Sequence, residues 1–366
     1  MSNKPTLPVN IEIEASSLTY SGQQFNEISV VGNNDDLHGW DYMLDSDEVK
    51  GQLKITRMAD GEKHIIADFE HLYLNSNSGV NNTSVDPSTL PTIFANIDTF
   101  NYNSMALGKL SITALPTEAG LQIENISFYK PELQIQARGK WNKNRYTGSI
   151  SNFFINVHSN EFNDILKTFK FENQFMSNAE TKISIDANWP GAPSEFSLDK
   201  LNGKIDLDIS KGHLLDIQPA AGRLFGLLSL QTLPRRMLLD FSDLFGEGMA
   251  FDSITGNFNV NEGNAYTDNL IMRGPAVNID INGRAGLAAQ DYDQIAIVTP
   301  QISDSLAVAS GFLGPVGIGL GTVLYLAGNM FEPLQDSINQ IMKVEYSIKG
   351  SWNDPVIERE GKDKDS

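Results

Sequence analysis

No cysteine occurs anywhere in the 366 residues. That excludes disulfides, thiol catalysis and cysteine-ligated zinc or iron–sulfur sites, and it fits an oxidising compartment in which stray thiols are a liability. Positive charge is scarce as well: 27 Lys and Arg against 46 Asp and Glu leave a net charge of −19. A nucleic-acid partner requires a basic face, so that class is excluded, and wholesale adsorption to anionic lipid goes with it. The acidic surplus serves mainly to keep the chain soluble.

Recognisable catalytic spacing is missing too. The five histidines (His38, His64, His71, His158 and His213) are scattered, with no H-E-x-x-H pair. No Gly-x-Ser-x-Gly elbow is present. Gly317-Ile-Gly319-Leu-Gly321 lacks the G-x-G-x-x-G spacing and a following lysine, so it is not a nucleotide loop. Acidic pairs two residues apart, Asp206/Asp208 and Asp291/Asp293, share a strand face. Calcium is one reading of them, and a solvated outer face is the favoured one. Asn81 and Asn125 match glycosylation acceptors, which matter only in a eukaryotic secretory host. No enzymatic activity, cofactor or metal is expected. The N-terminal residues Met1-Ser-Asn-Lys-Pro-Thr are polar and show no signal peptide or anchor. Alternation begins by Ile11-Glu-Ile13 with no capping element, so the expectation is a fragment of something longer.

What the chain does have is one spacing rule, repeated almost end to end. Ile205-Asp-Leu207-Asp-Ile209, Ile183-Ser-Ile185-Asp-Ala187, Leu133-Gln-Ile135-Gln-Ala137, Val277-Asn-Ile279-Asp-Ile281 and Val344-Glu-Tyr346-Ser-Ile348 all alternate apolar with polar. Period 2 puts the apolar side chains on one face of a sheet and the charges on the other. The predicted fold is mostly β: a long curved antiparallel sheet of repeated meander units, with a few short helices near the C-terminus. Residues 1–200 form one expected β-groove segment and 201–358 a second, with an apolar insertion at 305–341 and a solvated, disordered tail at 359–366. Residues 75–92 read as a loop, and 162–175 as a short helix on the spacing of Phe162, Ile165, Leu166 and Phe169. Small residues at strand ends, Gly139, Ala187, Gly283 and the displaced Gly350, suggest a repeated unit.

About 20 strands at about 4.8 Å each make a sheet on the order of 95 Å long. Its apolar face, left open, would far exceed the few hundred Å² that a monomer leaves exposed. Curving the sheet into a trough and covering that face resolves this, at about 0.8 kcal/mol for each buried methylene. The residues expected to line the trough are Ile183, Ile185, Ile205, Leu207, Ile209, Phe258, Val260, Val277, Ile279, Ile281, Tyr346 and Ile348.

Two segments break the alternation. Residues 219–230 read as a helix, with Arg223, Arg235 and Arg236 nearby; it either lies on a headgroup layer or packs on the sheet. Residues 305–331 contain no charge at all, a length that could span a bilayer. Gly314-Pro315 would break a straight helix there, so two short apolar helices, 306–313 and 318–330, are expected, followed by an amphipathic helix near 334–341. Phe312, Leu313, Val316, Ile318, Leu320, Val323, Leu324 and Leu326 are the positions expected to touch a membrane. Internal capping of the apolar face, and a true spanning helix, are the alternatives.

A resemblance adds to this. The segment Leu238-Leu-Asp-Phe-Ser-Asp-Leu-Phe-Gly-Glu-Gly-Met-Ala-Phe-Asp-Ser-Ile-Thr-Gly256, then Gly263-Asn-Ala-Tyr-Thr-Asp-Asn-Leu270, Ala289-Gln-Asp-Tyr-Asp-Gln294 and Gly350-Ser-Trp-Asn-Asp-Pro-Val-Ile-Glu358 resemble the C-terminal region of AsmA-like envelope proteins. They are most similar to its large YhdP-type branch, which is related to TamB. The similarity is good over about 201–358 and weaker over 9–200. It implies a Gram-negative periplasmic protein with a U-shaped β-groove. Such a protein conducts phospholipid from the inner membrane to the outer membrane, which its C-terminal end, here the 305–341 segment, would approach. It also implies an inner-membrane anchor, which this sequence does not contain, as expected of a C-terminal fragment. The competing function is a scaffold or tether that assists outer-membrane assembly, with envelope proteins as partners and the apolar face closed by protein.

Overall fold

The computed structural model describes residues 9–20, 22–35, 39–58, 61–75, 85–170, 176–215, 249–275, 277–301, 343–352 and 354–360. Among the described residues nineteen strands belong to one sheet, and the chain divides into two compact units. The mostly-β architecture expected from the alternation is what forms, with one α-helix among the described residues.

The first unit holds residues 1–158, 168–170 and 185–196. Its strands are β1 (Val9–Tyr20), β2 (Gln23–Asp35), β3 (Gly39–Asp45), β4 (Val49–Arg57), β5 (Lys63–Leu74), β6 (Thr92–Tyr102), β7 (Met105–Thr117), β8 (Gly120–Tyr129), β9 (Leu133–Asn144) and most of β10 (Gly148–Ser159). Neighbours in sequence are neighbours in the sheet. Pairing is antiparallel from β1 to β5 and again from β6 to β9. The β6–β7 turn needs only Asn103 and Ser104, both at positive φ (48° and 59°), the twist that a two-residue hairpin favours. The antiparallel expectation fails between β5 and β6, which run parallel. Parallel neighbours need a crossover of a dozen or more residues, and the stretch read from sequence as a loop, 75–92, is where the chain passes from Leu74 to Thr92.

The second unit holds residues 159–167, 171–184 and 197–366. It comprises α1 (Phe162–Thr168) except its last residue, β11 (Met176–Ser177), β13 (Asn202–Leu214), β14 (Met249–Asn261), β15 (Asn264–Arg273), β16 (Val277–Gly286), β17 (Asp291–Pro300), β18 (Val344–Ser351) and β19 (Asp354–Arg359). The intervening β12 (Thr181–Pro190) is divided between the units. Pairing from β13 to β19 is antiparallel and sequential. α1 begins where the sequence placed it and stops at Thr168, seven residues short of the expected 175. Lys170 takes φ 63°, the left-handed turn that ends a helix.

The long connections of the second unit share an edge. Leu214 pairs with Met249, Arg273 with Asn278, and Val298 with Val344. So β13 ends and β14 begins on the same edge at which β17 ends and β18 begins. The opposite edge carries short turns at Glu262-Gly263 and at 287–290. The helices read from sequence at 219–230, 306–313, 318–330 and 334–341 lie outside the described residues.

Candidate functional site

In each unit the hydrogen-bond register carries one apolar face from strand to strand. In the second unit Ile209 faces Ile254, Ile254 faces Met272, Met272 faces Ile279, Ile279 faces Val298 and Val298 faces Val344. A parallel row joins Leu207 and Gly256, Leu270 and Ile281, then Ala296 and Tyr346. The first unit does the same across nine strands, from Ile13 and Val30 through Leu44, Gly51, Phe69, Ile97 and Leu110 to Phe128 and Ile135. The parallel β5–β6 pair does not interrupt it, because Ala67 meets Ala95 and Phe69 meets Ile97 in register. One slipped residue at any junction would turn the following strand inside out.

Of the positions expected to line a trough, Ile209, Val260, Val277, Ile279, Ile281, Tyr346 and Ile348 are buried. Ile183, Ile185, Ile205, Leu207 and Phe258 are half-buried. Ile209, Val277, Ile279, Ile281, Tyr346 and Ile348 join one hydrophobic cluster, with Leu207 and Phe258 packed against it. Sequence reasoning did not select Ile254, Leu270, Met272, Ala296 or Val298, which belong to the same cluster. It also missed that Phe162 and Leu166 of α1 enter that cluster, next to Met176 and Ala179. Two hydrogen bonds seat the helix: the Phe162 N–H donates to the Ala179 carbonyl at 2.9 Å, and the Asn163 amide donates to the Met176 carbonyl. The membrane-contact positions Phe312, Leu313, Val316, Ile318, Leu320, Val323, Leu324 and Leu326 lie outside the described residues.

The other face is polar, as the alternation demands. Asp206 and Asp208 are exposed. Asp206 accepts from the Asn257 amide, and Asn269 donates to Asn257 at 2.8 Å. Arg273 pairs with Asp280 at 2.9 Å. Asp291 is held by Arg284, whose hydrogen bonds lower its pKa below the usual carboxylate range and raise the guanidinium's. On the inward face, burial pushes the Tyr346 phenol up, opposed by the Arg359 charge. Among the described residues no cluster of His, Asp and Glu could hold a metal ion, and no helix is long and apolar enough to cross a membrane.

The indole N–H groups of two tryptophans close strand ends. Trp189 donates to the Ala192 carbonyl at 3.0 Å and stacks on Phe153 at 5.4 Å. Trp352 donates to the Asp291 carbonyl at 3.0 Å and stacks on Tyr292 at 5.7 Å. Trp141 is buried at the matching place on β9. These tryptophans follow the small-residue positions Ala187, Gly350 and Gly139, while Gly283 is followed by Ala285.

The chemistry of such a face is chiefly that of an apolar solvent laid along a sheet. The comparisons with known proteins bear on the same point. The chain is 32% identical over 177 residues to the intermembrane phospholipid transporter YhdP of Escherichia coli strain K12. That alignment takes in 48% of this chain and 14% of the relative, so the chain spans a small part of the relative's length. No solved structure matches. The profile of the family described as YhdP protein matches residues 1–357, and the chain therefore belongs to the YhdP family.

Proposed function

We propose that this chain forms part of a lipid conduit, a U-shaped trough whose apolar β-faces carry phospholipid acyl chains between the two membranes of an envelope. The observation that carries the reading is the in-register apolar row: six strands deep in the second unit and nine in the first. A methylene moved from water onto such a face gains about 0.8 kcal/mol wherever it lands. A chain can therefore slide from one strand to the next with little change in energy. The family, and the phospholipid transported by the E. coli relative, support this choice of cargo.

The same reading makes the outer membrane the partner of the 305–341 segment and places the protein in the periplasm. In its support, the two connections that carry the apolar runs at 219–230 and 305–331 attach to one edge of the second unit's sheet. A second reading, a scaffold whose face is closed by protein, draws support from α1, since Phe162 and Leu166 already cover part of the same cluster.

Photocrosslinking in cells separates the two. A probe at Leu207 or Ile279 is compared with one at Asp206 or Asn278, and adducts are read by lipid labelling. Phospholipid adducts at the apolar pair alone are expected. Adducts at neither pair would hand the face to a protein partner.

A further inference from the structure

The two units contain one module twice. Asn125 and Asn269, Pro131 and Pro275, and Gly139 and Gly283 each stand 144 residues apart. That one offset carries β7, β8 and β9 onto β14, β15 and β16. The register repeats with it. Leu110 faces Phe128 as Ile254 faces Met272, and Ile126 faces Ala137 as Leu270 faces Ile281. Even the irregularity recurs, because the pairing slips between Ile123 and Ile126 in one copy and between Thr267 and Leu270 in the other. Both copies present the same apolar rows, so their cover can be compared position by position.

The cover differs. Ile126, Phe128, Ile135 and Ala137 are half-buried, whereas their counterparts Leu270, Met272, Ile279 and Ile281 are at most 7% exposed. α1 contributes to the second unit's cover: Phe162 and Leu166, one helical turn apart, join the cluster that holds those four residues, and Ile165 packs against it. The seat of α1 is light. The helix has seven residues, too few to persist away from its support. Its two hydrogen-bonded anchors, the Phe162 N–H and the Asn163 amide, reach the carbonyls of Ala179 and Met176. Met176 lies in β11, a strand of only two residues. An acyl chain laid along the same rows buries more methylenes than these three side chains withdraw, so lipid can replace the helix without loss of apolar burial.

We infer that α1 is a displaceable plug: it occupies, on the second unit, apolar rows that the first unit leaves more open, and it lifts when an acyl chain takes its place. The inference rests on the lipid-carrying reading above and adds to it a control point, located in one copy of the module and not in the other.

The test uses the full 366-residue chain with a leucine-sized photoactivatable probe at Ile135 or at its counterpart Ile279. The protein is illuminated with vesicles of dioleoyl phosphatidylcholine, and lipid adducts are counted by mass spectrometry. With α1 intact, the Ile279 yield is expected to lie roughly 3- to 10-fold below that of Ile135, because only the fraction of molecules with the helix lifted can bind there. Phe162→Ala combined with Leu166→Ala should raise the Ile279 yield to that of Ile135 and leave Ile135 unchanged. Hydrogen exchange of the wild-type chain gives a second reading that needs no variant: the vesicles should speed exchange in α1 and not in β15 or β16. Equal yields with α1 intact, or a low Ile279 yield that the double substitution does not raise while Ile135 keeps its own, overturns the plug. If the double variant does not fold, both yields collapse and the exchange measurement decides. Adducts at Ile135 with α1 exchange unchanged by vesicles leave the lipid-carrying reading standing and remove the plug. Adducts at neither position remove both.

Discussion

Arg284 and Asp291 face each other across the β16–β17 hairpin through two parallel hydrogen bonds, Nη1 to Oδ1 and Nη2 to Oδ2, each 2.9 Å long. The same Nη1 also donates to Asn264 Oδ1 at 2.9 Å, so the guanidinium ties three consecutive strands on the polar side of the sheet. Fork-to-fork geometry of this kind is the strong form of an ion pair.

Its pH dependence follows from the direction in which Asp291 is shifted. The folded-state pKa lies below the ordinary value of 3.8. The pair therefore contributes stability above that value and loses it as pH falls through the lower folded-state pKa. Because both side chains are partly exposed, the contribution is about 1 kcal/mol or less. Urea denaturation of Asp291→Asn against wild type should show that loss at neutral pH. The difference should narrow below pH 3.8. A difference that stays constant with pH would mean that the carboxylate charge is not what matters.

Trp352 is a larger commitment. Its ring is buried, stacks on Tyr292 and donates to the Asp291 carbonyl. Trp352→Ala is expected to cost about 3–5 kcal/mol in denaturant unfolding. Trp352→Phe keeps most of the stack and leaves one carbonyl without its donor, at about 1–2 kcal/mol. Equal losses from the two substitutions would show that the hydrogen bond, and not the packing, anchors this corner.

Two glycines give a paired measurement. Gly283 has φ 129°, and a Cβ there would sit 2.4 Å from the Asp293 carbonyl oxygen and 2.7 Å from the Gln294 Cα. Gly148 has φ 77° with nothing within 4 Å of its Cβ position. Gly148→Ala should cost about 1–2 kcal/mol of backbone strain alone. Gly283→Ala should cost more than that, and thermal unfolding of the two variants ranks them. The reverse order would mean that β16 moves away from β17 without penalty.

The apolar rows predict opposite outcomes for neighbouring residues. Leu207→Asp and Ile279→Asp put a carboxylate on the track and should abolish lipid transport in cells at a normal protein level. Asp208→Ala, on the solvated face, should leave transport unchanged. Full transport by both carboxylate variants would rule out the apolar face as the path.

The sequence was most legible where the two strand faces differ in composition. In β13 the order Ile205, Asp206, Leu207, Asp208, Ile209 admits one orientation, and the Asp residues are exposed while Ile209 is fully buried. β17 was opaque for the opposite reason. Ile295 and Ile297 alternate with Gln294 and Ala296, so both faces look apolar. Only the register with β16 turns Gln294 inward and leaves Ile295 40% exposed. The parallel β5–β6 pair was hidden for a related reason: the period-2 pattern of Ile65, Ala67 and Phe69 is the same whichever way the next strand runs. The C-terminal limit of α1 escaped because Phe169 keeps helical spacing, although the chain has already turned away at Lys170.

Sequential pairing has a consequence for how the chain acquires its structure. Most strands meet the strand made just before them, so loop closure is short at nearly every step and each hairpin can form as soon as it is complete. β5 against β6 is the exception. There the chain must close a long crossover and align two strands running the same way before any contact rewards it, and parallel pairing of this kind is intrinsically slow. Growth of the first unit from its N-terminal end should therefore pause at Leu74 and resume once Thr92 is in place.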